Sequence, residues 1–248
     1  NVLNNTYVIY LSDNGRPFPR CKTRLYDSGI KSPLIILGPK SNEPAVVDAL
    51  VSINIDLPPT VLELAGLPIP DRIQGVSFVP LLDDPSKMTR QFVFAEQNWH
   101  VMQANQRMVR QGDLVYIHNR YPELQALCVE ASPRFPAGAE LWEAERQKGL
   151  LPSQRDIFMV PRPAEELYDV QQDPNQLNNL ADDERYQESL HRLRGTIKTW
   201  AHETRDEVST DPTRDRQDAH GKRDPNWRHR AQPGVAAGSI ETNNKGPI

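Results

Sequence analysis

No apolar run in this chain approaches the length of a membrane-spanning helix, and no segment has the order of charged, apolar and small residues that marks a secretion signal. A helical membrane span is therefore excluded. Positive charge is also scarce, since 29 Lys and Arg face 33 Asp and Glu for a net charge of −4. That balance speaks against a general nucleic-acid binder, because a phosphate backbone rewards clustered positive charge. Cysteine is nearly missing: Cys21 and Cys128 are the two present, at no metal-ligand spacing. They can pair or stay free, and two are too few to fix a redox compartment.

What the chain does have is a hydrophobic fraction of 38% over 248 residues, enough for one large core or two modest ones, and 22 prolines, which imply many loops. Tyr7-Val8-Ile9-Tyr10-Leu11 is short, β-branched and aromatic, and reads as a strand buried on both faces of a parallel sheet. The first residue is Asn1, and a parallel strand with no crossover helix before it lacks neighbours, so we expect one part of a longer or cleaved enzyme. Pro33 to Leu37 reads as a second buried strand closed by Gly38-Pro39, followed by a polar turn over 40–46. Asp56 to Ala65 reads as a helix covering the sheet, with prolines in its first turn, Leu57, Val61 and Leu64 on one face, and Gly66 as its stop.

A proline-punctuated connection over 68–84 leads to an expected domain boundary near Ser86. Beyond it, Gln91 to Ala95, Gln106 to Arg110 and Leu114 to Ile117 read as strands, the last two joined by a turn at Gly112-Asp113, and Tyr168 belongs to a further strand of the same antiparallel sheet. A helix is expected over Ala139 to Lys148. Tyr186, Leu190, Leu193, Ile197 and Trp200 then make one apolar stripe, with Asp182 and Asp183 as its cap and first turn. The expected fold class is α/β: residues 1–85 complete a sheet domain, 86–206 form a smaller α+β domain with an antiparallel sheet and a packing helix, and 207–248 form an extended or disordered tail. The tail stretch HGKRDPNWRHR could touch a polyanion or simply be solvated.

The opening strand stops at Ser12-Asp13-Asn14-Gly15, and in open parallel α/β sheets ligands sit beyond the carboxyl ends of strands. Asp13 supplies a charged oxygen and Asn14 a neutral one, which suits a hard cation such as calcium or magnesium, and Gly15 can take a positive φ. Lys22, with Arg24 as its competitor, would share the negative oxygens of a tetrahedral oxyanion with that cation. The same Asp-Asn-Gly string is also what an ordinary turn uses. A second candidate follows the strand expected at 91–95, where Trp99 could stack on a sugar ring with Glu96 or His100 bonding its hydroxyls, or the segment is just a polar loop. His118, His191, His202, His220 and His229 show no ligand spacing and read as surface or packing residues.

Three ordered stretches carry a resemblance to a known family: Ser12 to Gly15 with Pro17-Phe18-Pro19, Lys22 and Leu25-Tyr26; Asp56-Leu57-Pro58-Pro59-Thr60 through Leu64-Ala65-Gly66-Leu67; and Glu166-Leu167-Tyr168-Asp169 with Asp173-Pro174 and Asn179-Leu180. Together they resemble the carboxyl-terminal portion of the sulfatase family, nearest its N-sulfoglucosamine sulfohydrolase (heparan N-sulfatase) branch, over about residues 6 to 206. The resemblance implies an alkaline-phosphatase-like fold and hydrolysis of sulfate esters or N-sulfates on a sulfated sugar. It also implies Asp13 and Asn14 as calcium ligands, Lys22 on the sulfate, and a periplasmic, secreted or lysosomal location. The family's formylglycine nucleophile arises within Cys/Ser-x-Pro-x-Arg. Cys21 is followed by Lys-Thr-Arg and Cys128 by Val-Glu-Ala, so the nucleophile is expected on an amino-terminal part of the same enzyme, and this portion alone is expected to be inactive. The competing readings are a phosphodiesterase or phosphonate hydrolase of the same superfamily, whose members often show Asp-His-Gly where Asp13-Asn14-Gly15 stands, and a catalytically silent carbohydrate-binding module.

Overall fold

A computed structural model describes residues 2–39, 44–228 and 243–248. The start of the expected turn at 40–46, His229 and the middle of the expected tail lie outside these residues. In chain order the elements are β1 (Val8–Leu11), α1 (Asp27–Ile30), β2 (Leu34–Leu37), α2 (Ile53–Leu64), α3 (Val79–Asp83), β3 (Val93–His100), β4 (Met102–Gln111), β5 (Leu114–Asn119), α4 (Pro136–Arg146), α5 (Pro152–Arg155), β6 (Glu165–Asp169) and α6 (Gln187–Glu203). β1 and β2 make a two-stranded ribbon, and β3-β4-β5-β6 make an antiparallel sheet in that order. No helix among the described residues is long and apolar enough to cross a membrane.

The opening strands form where expected, but their expected parallel pairing and burial are corrected. β1 runs antiparallel to β2, with Val8 opposite Leu37 and Tyr10 opposite Ile35. Those four side chains share one face of the ribbon, with Val8 46%, Leu37 51%, Tyr10 64% and Ile35 61% exposed. The strands are apolar on both sides, as two-sided burial requires, yet nothing among the described residues covers that face.

α2 begins at Ile53, three residues before the expected start, because Asp56 does something other than open it. The Asp56 carboxylate is buried and accepts the backbone N–H groups of Ser52 at 2.8 Å and Val76 at 2.7 Å, together with the Arg90 Nε at 2.7 Å and Nη2 at 2.5 Å. Thr60 adds a second tie, donating to the Asp56 carbonyl and accepting from the Phe78 N–H. The expected stop holds: Gly66 is left-handed at φ +69°, its N–H bonds the Glu63 carbonyl, and that of Leu67 bonds Leu62, which closes the helix as a Schellman motif. The Asp56–Arg90 pair straddles the boundary expected near Ser86.

The strands expected at 91–95, 106–110 and 114–117 are present and longer, and Gly112 (φ +56°) with Asp113 makes the turn between β4 and β5. Pleating divides the sheet's residues between two cores. Val109, Tyr116 and Leu167 face α6 and pack on Leu190, Leu193 and Ile197, which bears out the stripe, while Trp200 stacks on Phe94 with ring centroids 5.3 Å apart. Met108, Val115, Ile117 and Tyr168 face the other way, onto Leu25 and Tyr26.

Across the α6 face, at the next residues along the strands, runs a charged row in which Glu96 is opposite Arg107, Arg107 opposite His118, and His118 opposite Glu165. Arg107 is bidentate to Asp206 at 2.7 Å, and Arg194 is bidentate to Glu165 at 2.7 Å. Burial, helped by Arg120, lowers the His118 pKa below 6.5, and the Arg194 hydrogen bonds lower that of Glu165 below 4.5. Both groups resist protonation more strongly in the folded chain than in the unfolded one, so each contributes stability at neutral pH that is lost on acidification. The expected result is a melting midpoint that falls first below about pH 6.5, through His118, and again below about pH 4.5, through Glu165. His118→Asn should flatten the first part of that profile and leave the second.

Of the two forms expected after α6, an extended or a disordered tail, the segment takes the first as far as Arg228, and it is packed. Trp227 stacks on Trp99 at 5.7 Å, the indole N–H of each donates to the Arg214 carbonyl, and His220 lies 4.6 Å from the Trp142 ring. Residues 207–228 are therefore an extended arm laid along the β3–β4 hairpin and α4.

Candidate functional site

The loop from Ser12 to Gly29 is folded on itself by backbone bonds: the N–H of Phe18 and that of Lys22 both reach the Arg16 carbonyl, Cys21 reaches Phe18, and Arg24 reaches Cys21. Its two ends meet where the Gly15 N–H donates to the Gly29 carbonyl at 2.8 Å. A Cβ on Gly15 would stand 2.0 Å from the Ser28 carbonyl oxygen, so close approach requires glycine there, and not the positive φ expected from sequence. The left-handed residues are instead Arg20 (φ 63°) and Thr23 (φ 68°), on either side of Cys21-Lys22.

Three anchors hold this loop on the antiparallel sheet. Leu25 and Tyr26 enter the core, where the Tyr26 hydroxyl donates to Glu166 Oε2 at 2.9 Å and that of Tyr168 donates to the same oxygen at 2.6 Å. Burial, with the Glu166 charge added, raises the pKa of both phenols. Asp27 pairs with Arg110 at 2.9 Å, and its N–H donates to Gln176 Oε1 at 2.6 Å. Arg20 reaches Asp156, Asn175 and Gln176. None of these anchors was legible as a site feature, although a glutamate opposite Ile117 in an apolar strand is the kind of signal that marks a buried charge.

Of the residues singled out from sequence, Asp13 is exposed and Asn14 and Lys22 are half-buried on the same loop. The Asn14 amide donates to the Gly15 carbonyl at 2.9 Å, which turns its Oδ1 away from that bond. The Asp13 carboxylate and the Lys22 ammonium make no hydrogen bond or ion pair with any described residue. Arg24 points inward instead: it is 4% exposed and donates to the Ala126 carbonyl, and burial lowers its pKa. Glu96 lies on the α6 face, 3.4 Å from Arg107, whereas Leu25 and Tyr26 pack on the opposite face, so the sheet separates it from the Lys22 loop. His100 is exposed at the hairpin, in a strand and not the polar loop considered from sequence, and Trp99 is taken up by Trp227. Cys21 and Cys128 are both free, the second buried with its thiol pKa raised by that burial.

The donor chemistry fits a hard cation, but the number of donors does not complete a site. Calcium takes about six to eight oxygens, and Asp13 with Asn14 supplies two side chains. No group of three or more His, Cys, Asp or Glu side chains among the described residues could hold a metal ion.

The family described as N-sulphoglucosamine sulphohydrolase, C-terminal, matches residues 21–120. The human N-sulphoglucosamine sulphohydrolase is 33% identical over 224 residues, covering 83% of this chain and 43% of its own length. An ulvan-active sulfatase from Formosa agariphila is 31% identical over 201 residues, 80% of this chain and 33% of the relative. The chain thus spans between a third and somewhat under half of these relatives. In three dimensions a 2-O GAG sulfatase shares the fold with a TM-score of 0.58 at 23% identity, over 90% of this chain and 43% of that one.

Proposed function

Because this chain belongs to the sulfatase family and corresponds to its carboxyl-terminal portion, we propose that it supplies part of an active site that hydrolyses sulfate esters or N-sulfates on a sulfated saccharide. The observation that carries the reading is the pair of unbonded charges, Asp13 and Lys22, on a loop that is otherwise tied down along its length. A surface turn has no need of three anchors. Asp13 and Asn14 would hold two coordination positions of a calcium ion, or of magnesium, with the remaining ligands from outside this chain. Such an ion stabilises negative charge developing on oxygen. Lys22 binds and orients the sulfate group, its ammonium neutralising oxygens that gain charge as the sulfur–oxygen or sulfur–nitrogen bond breaks.

The nucleophile, a formylglycine in this family, is assigned to the amino-terminal part of the same enzyme, which also makes this portion inactive alone. The ribbon face formed by Val8, Tyr10, Ile35 and Leu37 is apolar and is covered by none of the described residues, and packing against that part is the occupant that fits it. A location outside the cytoplasm, periplasmic, secreted or lysosomal, goes with this assignment. The test is removal of metal from the complete enzyme by a chelator, followed by return of single cations. Sulfate release is expected to stop and to be restored by calcium, and Asp13→Ala is expected to abolish that restoration. Undiminished turnover in metal-free buffer would defeat the reading.

A further inference from the structure

We propose that Arg20 is a positioning residue for Lys22, locking the loop that carries Lys22 to the antiparallel half of the molecule; this rests on the reading of Lys22 given above. Arg20 stands two positions before Lys22, and its guanidinium makes three bonds to residues far along the chain: Nε to Asp156 Oδ2 at 2.8 Å, Nη1 to the Asn175 carbonyl at 2.8 Å, and Nη2 to the Gln176 carbonyl at 2.5 Å. The same group lies over the Tyr26 ring, 4.0 Å from its centroid. Three of the five N–H donors of the planar fork, at least one on each nitrogen, are thereby used on protein atoms.

The backbone agrees with this division of labour. Arg20 and Thr23 both hold left-handed φ values without being glycine, a conformation that persists only where the surroundings over-determine it. The Arg20 carbonyl is held as well, by the Ser28 hydroxyl at 2.7 Å. Cys21 and Lys22 are thus suspended between two constrained residues. The Lys22 N–H is fixed on the Arg16 carbonyl at 3.1 Å, while its side chain bonds to none of the described residues. Rigid main chain beneath a free ammonium is the arrangement that delivers a charge to a fixed point.

The experiment is a double-mutant cycle on the complete enzyme, with sulfate released from glucosamine 2-N,6-O-disulfate as the readout, so that cleavage of either kind of sulfate is registered. Arg20→Ala is expected to lower kcat by about a hundredfold, the scale of loss when a reacting group is misplaced by about 1 Å. Combined with Lys22→Ala, it is expected to add no further loss, because the fork acts through the lysine. Asp156→Ala, which removes one of the three bonds, should reproduce part of the effect. Multiplying losses in the double variant, or wild-type kcat in Arg20→Ala beside an impaired Lys22→Ala, would overturn the proposal and leave the role of Lys22 standing. Wild-type turnover in Lys22→Ala would overturn both. If Arg20→Ala fails to fold, Arg20→Lys keeps the charge, loses the fork and serves in the same cycle.

Discussion

Arg90→Ala is expected to destabilise the chain by about 3–5 kcal/mol, the range for breaking a buried ion pair by removing one partner. The two side chains are 2% and 1% exposed, so the carboxylate left behind has no route to solvent. It would retain the N–H groups of Ser52 and Val76 but lose the two charge-assisted bonds from the guanidinium. Those contacts join α2, the segment before α3 and the entry to β3, so the change should act on several elements together. Asp56→Asn should cost a similar amount, because it leaves the buried Arg90 guanidinium without its counter-charge and puts an amide NH2 among groups that are all donors. Urea unfolding measures both. A loss under about 1 kcal/mol for Arg90→Ala would mean that water reaches the pair.

Lys22→Ala in the complete enzyme is expected to lower kcat by about 10²–10³, the usual effect of deleting one preorganised group aimed at a developing charge. Its melting midpoint should not move, since the ammonium bonds to no described residue. Lys22→Arg is expected to keep much of the activity, because a guanidinium presents the same charge to sulfate oxygens. Steady-state kinetics beside thermal melting separate the outcomes. A variant that unfolds, or one that turns over normally, would remove Lys22 from the site.

The elements most legible in the sequence were those whose signal is local. Gly66 stops α2 because a left-handed residue is needed there, and the stripe from Leu190 to Trp200 packs because a 3.6-residue period can face only one way. The opening run was recognisable as strand, but not its partner or direction, since pairing depends on residues elsewhere. The position of Glu96 was hidden for a related reason: the strand expected to end at Ala95 runs on to His100, and pleating then carries Glu96 to the α6 side. Within the site loop, Asp13, Asn14 and Lys22 were visible by type. Its supports were not, because Arg20 meets Asp156, and Tyr26 meets Glu166, across more than a hundred residues of chain.

The ribbon of β1 and β2 has a practical side. Two short strands leave each outer edge with N–H and C=O groups free to pair, and on one side they also present aliphatic and aromatic rows to water. A preparation of these 248 residues by themselves would concentrate its solubility problem in that small area, far in sequence from α6 and the sheet it stabilises. Lysine in place of Tyr10 or Ile35 would be the place to begin when such a sample clumps, since neither side chain belongs to a core of the antiparallel half.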